Sequence, residues 1–285
     1  MSRVTLLRGV RALRRAPRTL CLLGLLGILV LGCRDRLDRK PFDASTHCRD
    51  RPVQMAIASS LRELAISLRH QLRTLPEPIE ITPIYGASSA HARQLLLGAP
   101  MDLIVSADAE IIDDLVRRGL IVDGSQLEFA GGQLALVAHP RWPILGSAQS
   151  ALKAATLERI AIPSASVPLG RYARAWLASR GLLESLRGRI VVTEHARATL
   201  SAVDSGLVDL ALVYRSELRL VRRATTVELI DPAEHPPIRY IAARTSRAPA
   251  CPSIDSALAA WGDTALQQEM ANAGFLVARR NRNRS

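Results

Sequence analysis

Aromatic residues are scarce. Three Phe, three Trp and four Tyr make up 4% of 285 residues, so aliphatic side chains must build most of any core. The 48% hydrophobic fraction is enough for one large or two medium cores. Cysteine is rare too. The four cysteines stand at positions 21, 33, 48 and 251, and none of their spacings suits a metal site. A Gly-rich phosphate loop, a dinucleotide fingerprint and a metal-ligand cluster are all missing, as are repeats and low-complexity segments. No resident cofactor is expected, and nothing in these patterns points to nucleotide chemistry.

Acids run short of bases, 26 against 38, for a formal charge of +12. The excess is not spread evenly. Arg3, Arg8, Arg11, Arg14, Arg15 and Arg18 precede residue 33 with no acid among them, and removing them leaves 12 − 6 = +6. Arg279, Arg280, Arg282 and Arg284 belong to a basic tail, residues 279–285, read as disordered; without them the body carries 6 − 4 = +2. A near-neutral body is not that of a nucleic-acid reader.

The apolar run over residues 20–31 is shorter than the ~20 residues of a membrane-spanning helix and fits the core of an export signal. Residues 1–32 therefore read as a signal peptide. The run ends in Val30-Leu31-Gly32-Cys33, similar to the lipobox of bacterial lipoproteins, which implies lipidation at Cys33 and a lipid anchor. A cleaved soluble signal or an uncleaved anchor fits the same run, and each reading exports the folded part. Residues 33–49 read as a polar tether. Export permits disulfides, and with Cys21 and Cys33 set aside, Cys48 and Cys251 are left as a candidate pair.

From residue 52 the pattern alternates. Strands are expected at 52–58, 79–86 and 101–107, with helices at 59–75, 88–99 and 109–121. The first helix carries Leu61, Leu64, Ala65, Leu68 and Leu72 at helical spacing. A strand follows at 131–140, then a helix and strand over 152–164, a helical stretch at 169–186, a strand at 189–194 and a helix at 196–206. Residues 208–218 run from strand into helix, late strands cover 225–231 and 238–244, and a helical pair closes the chain at 253–275. This is an α/β pattern with parallel strands. Two lobes are expected, 50–131 plus 238–278 and 132–237, each a mostly parallel sheet flanked by helices, with a ligand in the cleft between them.

Three strand-to-helix turns stand out: Ala58-Ser59-Ser60-Leu61, Gly86-Ala87-Ser88-Ser89 and Val167-Pro168-Leu169-Gly170. They lie at the carboxyl ends of expected parallel strands, where open α/β sheets bind ligands. Helix N-termini carry unpaired N–H groups and partial positive charge, so several of them converging make an anion site without Lys or Arg. Ordinary N-capping is the competing reading of the serines. A nucleophile is a third, yet Ser88 lacks the second glycine of G-x-S-x-G and no histidine, His91 included, stands in a triad context.

The segments "IASSLRELAISL", "GASSAHARQLLLGAPMDLIVSAD", "AIPSASVPLGRYARAWLASRGL" and "LVDLALVYRSEL" together resemble the molybdate-binding proteins of bacterial ABC importers, over roughly residues 52–275. The resemblance implies a two-lobed, type II periplasmic binding protein fold that closes on molybdate or tungstate. It implies no enzymatic activity, a monomer, and permease and ATPase subunits as partners. Metal would enter only as the bound oxyanion. The family's contacts fall on the hydroxyls of Ser60 and Ser88, with Ser59 as a possible addition, on the backbone N–H groups of Leu169 and Ala196, and on the hydroxyl of Tyr214. Arg215 stands where the family has glycine, which implies a tilted Tyr214 or a charge at the rim. Leu169 replaces a small residue, which implies a narrower cavity. Arg93 is expected in a structural ion pair, Asp102 near the hinge and Asp108 at a cap. The alternatives are another oxyanion such as sulfate, a small organic acid, or a serine hydrolase using Ser88.

Overall fold

A computed structural model describes residues 51–142 and 146–277. The signal segment, Cys33, the tether, Cys48 and the arginine tail lie outside the described residues.

The chain opens with β1 (Val53–Ala58), a 3-10 turn (Ser59–Leu61) and α1 (Arg62–Arg73). Next come β2 (Ile81–Gly86), α2 (Ser88–Leu96), β3 (Leu103–Ser106) and α3 (Ala109–Arg117). β1 is apolar on both faces and buried along nearly its whole length, as a central parallel strand covered by helices must be. Leu64, Ala65, Leu68 and Leu72 form the buried stripe of α1. β1 pairs in parallel with β2, Ala58 opposite Gly86, and with β3, Ile57 opposite Val105. That register sets the carboxyl ends of the three strands level, so the turns after them share one edge.

β4 (Leu127–Gly132) joins the first sheet and β5 (Leu134–Ala138) the second, with only Gln133 between them. The second unit continues with α4 (Ala148–Lys153), β6 (Ile160–Pro163), α5 (Pro168–Ser179), α6 (Leu183–Leu186) and β7 (Ile190–Thr193). α7 (Ala196–Asp204), β8 (Leu210–Tyr214) and β9 (Thr225–Leu229) complete it. β6 pairs in parallel with β7, Pro163 opposite Thr193, and with β8. β10 (Ile238–Arg244) returns to the first sheet, followed by α8 (Pro252–Ala259), α9 (Thr264–Asn272) and β11 (Leu276–Val277).

The strand orders are β11-β4-β10-β3-β1-β2 and β7-β6-β8-β5-β9. This is a two-lobed α/β architecture. Each sheet is mixed: the strands that lead into the site helices are parallel, whereas β4, β5, β9, β10 and β11 pair antiparallel. The two crossings are tied together. Gln133 donates its side-chain amide to the Ile230 carbonyl at 2.9 Å, and its neighbour Leu134 donates its N–H to His235 at 3.4 Å.

Five aromatics cluster together, while Trp142, Tyr172 and Trp176 are buried in the core elsewhere. Phe129 and Trp261 lie 4.9 Å apart, Tyr240 and Phe275 5.1 Å, and Tyr214 meets Tyr240 edge-on at 6.0 Å, one ring from each sheet.

Three expectations need correction. The helix expected within 152–164 is α4, which starts earlier, where Ser147 caps it by accepting the Ser150 N–H. It stops when Ala154 turns extended. β4 was not anticipated beyond its glycine pair. Its Gly132 is required by β10, because a Cβ there would sit 2.6 Å from the Ile238 side chain. Arg93 makes no ion pair among the described residues. Asp108 does cap α3, accepting from Glu110 N–H at 3.0 Å, while buried Asp102 accepts from the Gln54 N–H and from Arg51. Cys251 is buried and disulfide-bonded; Cys48, the partner expected from the sequence, lies outside the described residues.

Candidate anion-binding site

The edges of the two sheets enclose one small cavity. Ser59, Ser60 and Ser88 line it from the first sheet, and Leu169, Ala196 and Tyr214 from the second. All six residues singled out in the sequence are therefore brought together. Its lining is small and close-set, which suits a compact ligand.

The serines are not caps. Ala58 occupies the N-cap position before the first turn, Ala87 that of α2 and Val167 that of α5, and none gives a side-chain cap bond. Ser147, Asp108 and Asp263 cap α4, α3 and α9, whereas α6 and α8, away from the cavity, also start without a side-chain cap. At the cavity, the uncapped starts of α2 and α5 leave first-turn N–H groups free for an incoming acceptor. α7 is capped by His195, whose Nδ1 accepts from Ala198 N–H at 3.1 Å. That bond serves the third residue of the helix and leaves the Ala196 N–H, at its very start, uncommitted.

Ser88 has a defined orientation. Its Oγ accepts the Ala107 N–H at 3.1 Å, across from β3. With an acceptor site so occupied, its own proton is free to be donated towards the cavity. Tyr214 is fully buried, and its hydroxyl has no partner. Burial holds its pKa well above the ordinary phenol value, so it stays a neutral donor. Gly170 explains the V-P-x-G segment. A Cβ there would lie 2.1 Å from the Ser164 carbonyl oxygen and 2.5 Å from that of Pro163, so only glycine lets α5 start this close to the end of β6.

The lining contains no charged side chain and no carboxylate. Charges stand just outside it, in pairs. Arg171 of α5 pairs with Asp108 and Glu110 of α3, and Arg197 of α7 pairs with Glu63 of α1. Sequence reasoning missed both arginines; the signal was their position, one or two residues past Ala196 and Leu169. Behind Tyr214 lies Glu217, wholly buried with neither oxygen partnered, and burial pushes its pKa up to about 7 against the pull of Arg197.

Arg215 corrects an expectation. It points away from the cleft, reaching Gln133 Oε1 at 2.9 Å and packing by Gly274, so it neither lines the cavity nor charges its rim. Leu169 is buried in the core at 1% exposure and also lines the cavity. His91 is occupied. Its Nε2 meets the Ile57 carbonyl at 3.1 Å, its Nδ1 meets Gln94, and its ring fills the space beside Gly86. Burial lowers its pKa. It is a packed structural histidine rather than a base for Ser88.

Two α/β lobes joined by two crossings, with a cleft at the sheet edges, define a periplasmic binding protein fold. The chain belongs to the bacterial extracellular solute-binding protein family, whose model matches residues 53–270. It is 27% identical over 216 residues to the putative ABC transporter substrate-binding lipoprotein YvgL of Bacillus subtilis, covering 75% of this chain and 80% of that one. It is 26% identical over 167 residues to the molybdate-binding protein ModA of Haemophilus influenzae, covering 56% and 65%. The periplasmic molybdate-binding protein of Azotobacter vinelandii shares the fold with a TM-score of 0.72 at 19% identity, over 80% of this chain and 100% of that one. The sulfate-binding protein SubI of Mycobacterium tuberculosis and a periplasmic thiamin binding protein share the fold as well, with TM-scores of 0.67 and 0.66.

Proposed function

We propose that this protein captures molybdate or tungstate outside the cytoplasmic membrane and delivers it to the permease and ATPase of an ABC importer. The observation that carries the reading is the donor-only lining of the cavity. Uncapped helix starts, hydroxyls and backbone N–H groups offer protons, and no carboxylate offers an acceptor. A fully deprotonated tetrahedral dianion suits such a site, because every oxygen wants a donor and none has a proton to give. Phosphate, still partly protonated at neutral pH, wants an acceptor that the lining lacks. The curated relatives named for molybdate and for ABC transport support the same reading. The chain performs no chemistry on the ion; it closes around it, and capture comes from preferential stabilisation of the closed form. A lipid anchor at Cys33 would hold the receptor at the membrane, and Cys48 would be the partner of Cys251.

Sulfate is the second reading, because it has the same charge and shape and differs in size. A thermal-shift panel with molybdate, tungstate, sulfate and phosphate separates the two. A ligand at 100 times its Kd adds about 2.7 kcal/mol. The expected result is stabilisation by molybdate and tungstate alone. An equal shift with sulfate would make this a general oxyanion receptor, and no shift with any anion would remove the oxyanion reading.

A further inference from the structure

We propose that Arg171 and Arg197 latch the closed cleft, as positioning residues that set how slowly a captured ion leaves. Among the described residues, every other ion pair lies within one lobe, and these two arginines alone cross between lobes. Each sits in the first turn of a helix whose start lines the cavity: Arg171 two residues after Leu169, Arg197 directly after Ala196.

The placement runs against local helix electrostatics. A cation is disfavoured at a helix N-terminus and an acid is favoured there. Neither α5 nor α7 has an acid in its first turn. Their partners are placed in the opposite sense. Glu63 lies in the first turn of α1 and Glu110 in that of α3, while Asp108 caps α3. The acids suit their own helices; the arginines find their carboxylate partners across the cleft, Arg171 also lying over the ring of its neighbour Tyr172. Two of the three contacts, Arg171–Asp108 and Arg197–Glu63, are also shielded, whereas Glu110 is exposed. Asp108 is 4% exposed, and Arg197 and Glu63 are 26% and 29% exposed, so solvent screens them less than a free surface pair.

The geometry couples latch and ligand. The swing that brings the Leu169 and Ala196 N–H groups to the ion also brings Arg171 and Arg197 to their carboxylates. Opening must break the contacts of both arginines and leave the Asp108 carboxylate, buried in the closed form, without its guanidinium. Capture by an open cleft requires neither pair. The effect therefore falls on release more than on association.

The latch itself needs no ligand, but its kinetic readout rests on the oxyanion reading, so the test has two arms. In the first, radiolabelled molybdate is chased from the parent protein, R171Q, R197Q, E63Q and the R197Q/E63Q double variant, with folding checked by melting without anion. Each single variant is expected to release at least about tenfold faster, equivalent to about 1.4 kcal/mol. The double variant is expected to release no faster than R197Q alone, because both changes break one contact. In the second arm, small-angle scattering on unliganded protein is expected to give R171Q/R197Q a larger radius of gyration than the parent. Unchanged release rates, or additive effects of E63Q and R197Q, would overturn the latch. If the parent binds no molybdate, the oxyanion reading fails by itself, and the scattering arm alone decides: equal radii overturn the latch, a larger variant radius upholds it.

Discussion

The two lobes face the same cavity with different chemistry. The first presents side-chain hydroxyls, Ser59, Ser60 and Ser88, one of them oriented by the Ala107 N–H. The second lines it with Leu169 and Ala196, for which backbone N–H donors are proposed, and with a single hydroxyl-bearing residue, Tyr214. A hydroxyl donor is lost when its residue is replaced. A backbone donor survives almost any replacement, provided the helix start stays in place. On the proposed binding mode the second lobe therefore tolerates Leu169 and Ala196 at the cavity, yet depends on Gly170 to seat α5.

Five substitutions probe that contrast, ordered from the largest effect to the smallest. Leu169→Ala removes a core side chain and should cost about 2–5 kcal/mol of stability. Anion affinity of the folded fraction should stay near that of the parent, since the N–H remains. Chemical denaturation and calorimetry on the same sample separate the two quantities.

Glu217→Gln tests the buried carboxylate of the second lobe. Its pKa rises from 4.5 to about 7 on folding. The folded state therefore holds this proton more tightly, and stability falls as pH climbs from about 4.5 to about 7, by roughly 3 kcal/mol in all. Below that window nothing is lost. Glutamine should abolish the fall and leave the variant the more stable protein above neutrality. Parallel pH-stability curves for parent and variant check this.

Ala196→Pro deletes a backbone donor without deleting a helix. Proline is tolerated at a first helical position, and the preceding His195 is already extended, at φ −160° and ψ 172°. Molybdate binding should weaken by about 1.5–3 kcal/mol, as for a lost hydrogen bond to a charged group, with the melting point nearly unchanged. Ser88→Ala makes the matching change in the first lobe. It should weaken binding by a similar or slightly smaller amount and also cost about 1–3 kcal/mol of stability, because the Ala107 N–H loses its acceptor. Tyr214→Phe should be mildest. Its hydroxyl has no partner in the unliganded protein, so stability should hold or rise while affinity drops by about 1 kcal/mol. A Tyr214→Phe protein that loses stability instead would assign that hydroxyl to the core.

The site was legible because its parts are local. A strand that ends in Ala-Ser-Ser or Gly-Ala-Ser-Ser, or runs into Val-Pro-Leu-Gly, announces a helix start at a sheet edge, and parallel pairing of β1 with β2 sets two of those starts side by side. Whether Ser88 caps its helix or serves the cavity was not legible. That depends on Ala87 taking the cap position and on Ala107 arriving from β3. β4 was hidden because its partners, β10 and β11, are remote in sequence and its glycines carry no strand signal. The direction of Arg215 was equally out of reach, being set by Gln133 at the crossing and by the space beside Gly274. Residues that look alike in sequence, Arg171 and Arg174, part company only in three dimensions. One crosses the cleft, and the other turns back to the Pro163 carbonyl.

The central claim is that helix-start N–H groups and hydroxyls grip a deprotonated oxyanion. Titration calorimetry of molybdate into the parent protein and the Ala196→Pro variant tests it most directly. The account expects saturable binding by the parent, weakened by at least about tenfold in a variant that melts like the parent. A parent that gives no binding while folded, or a variant that binds as tightly as the parent, would contradict it.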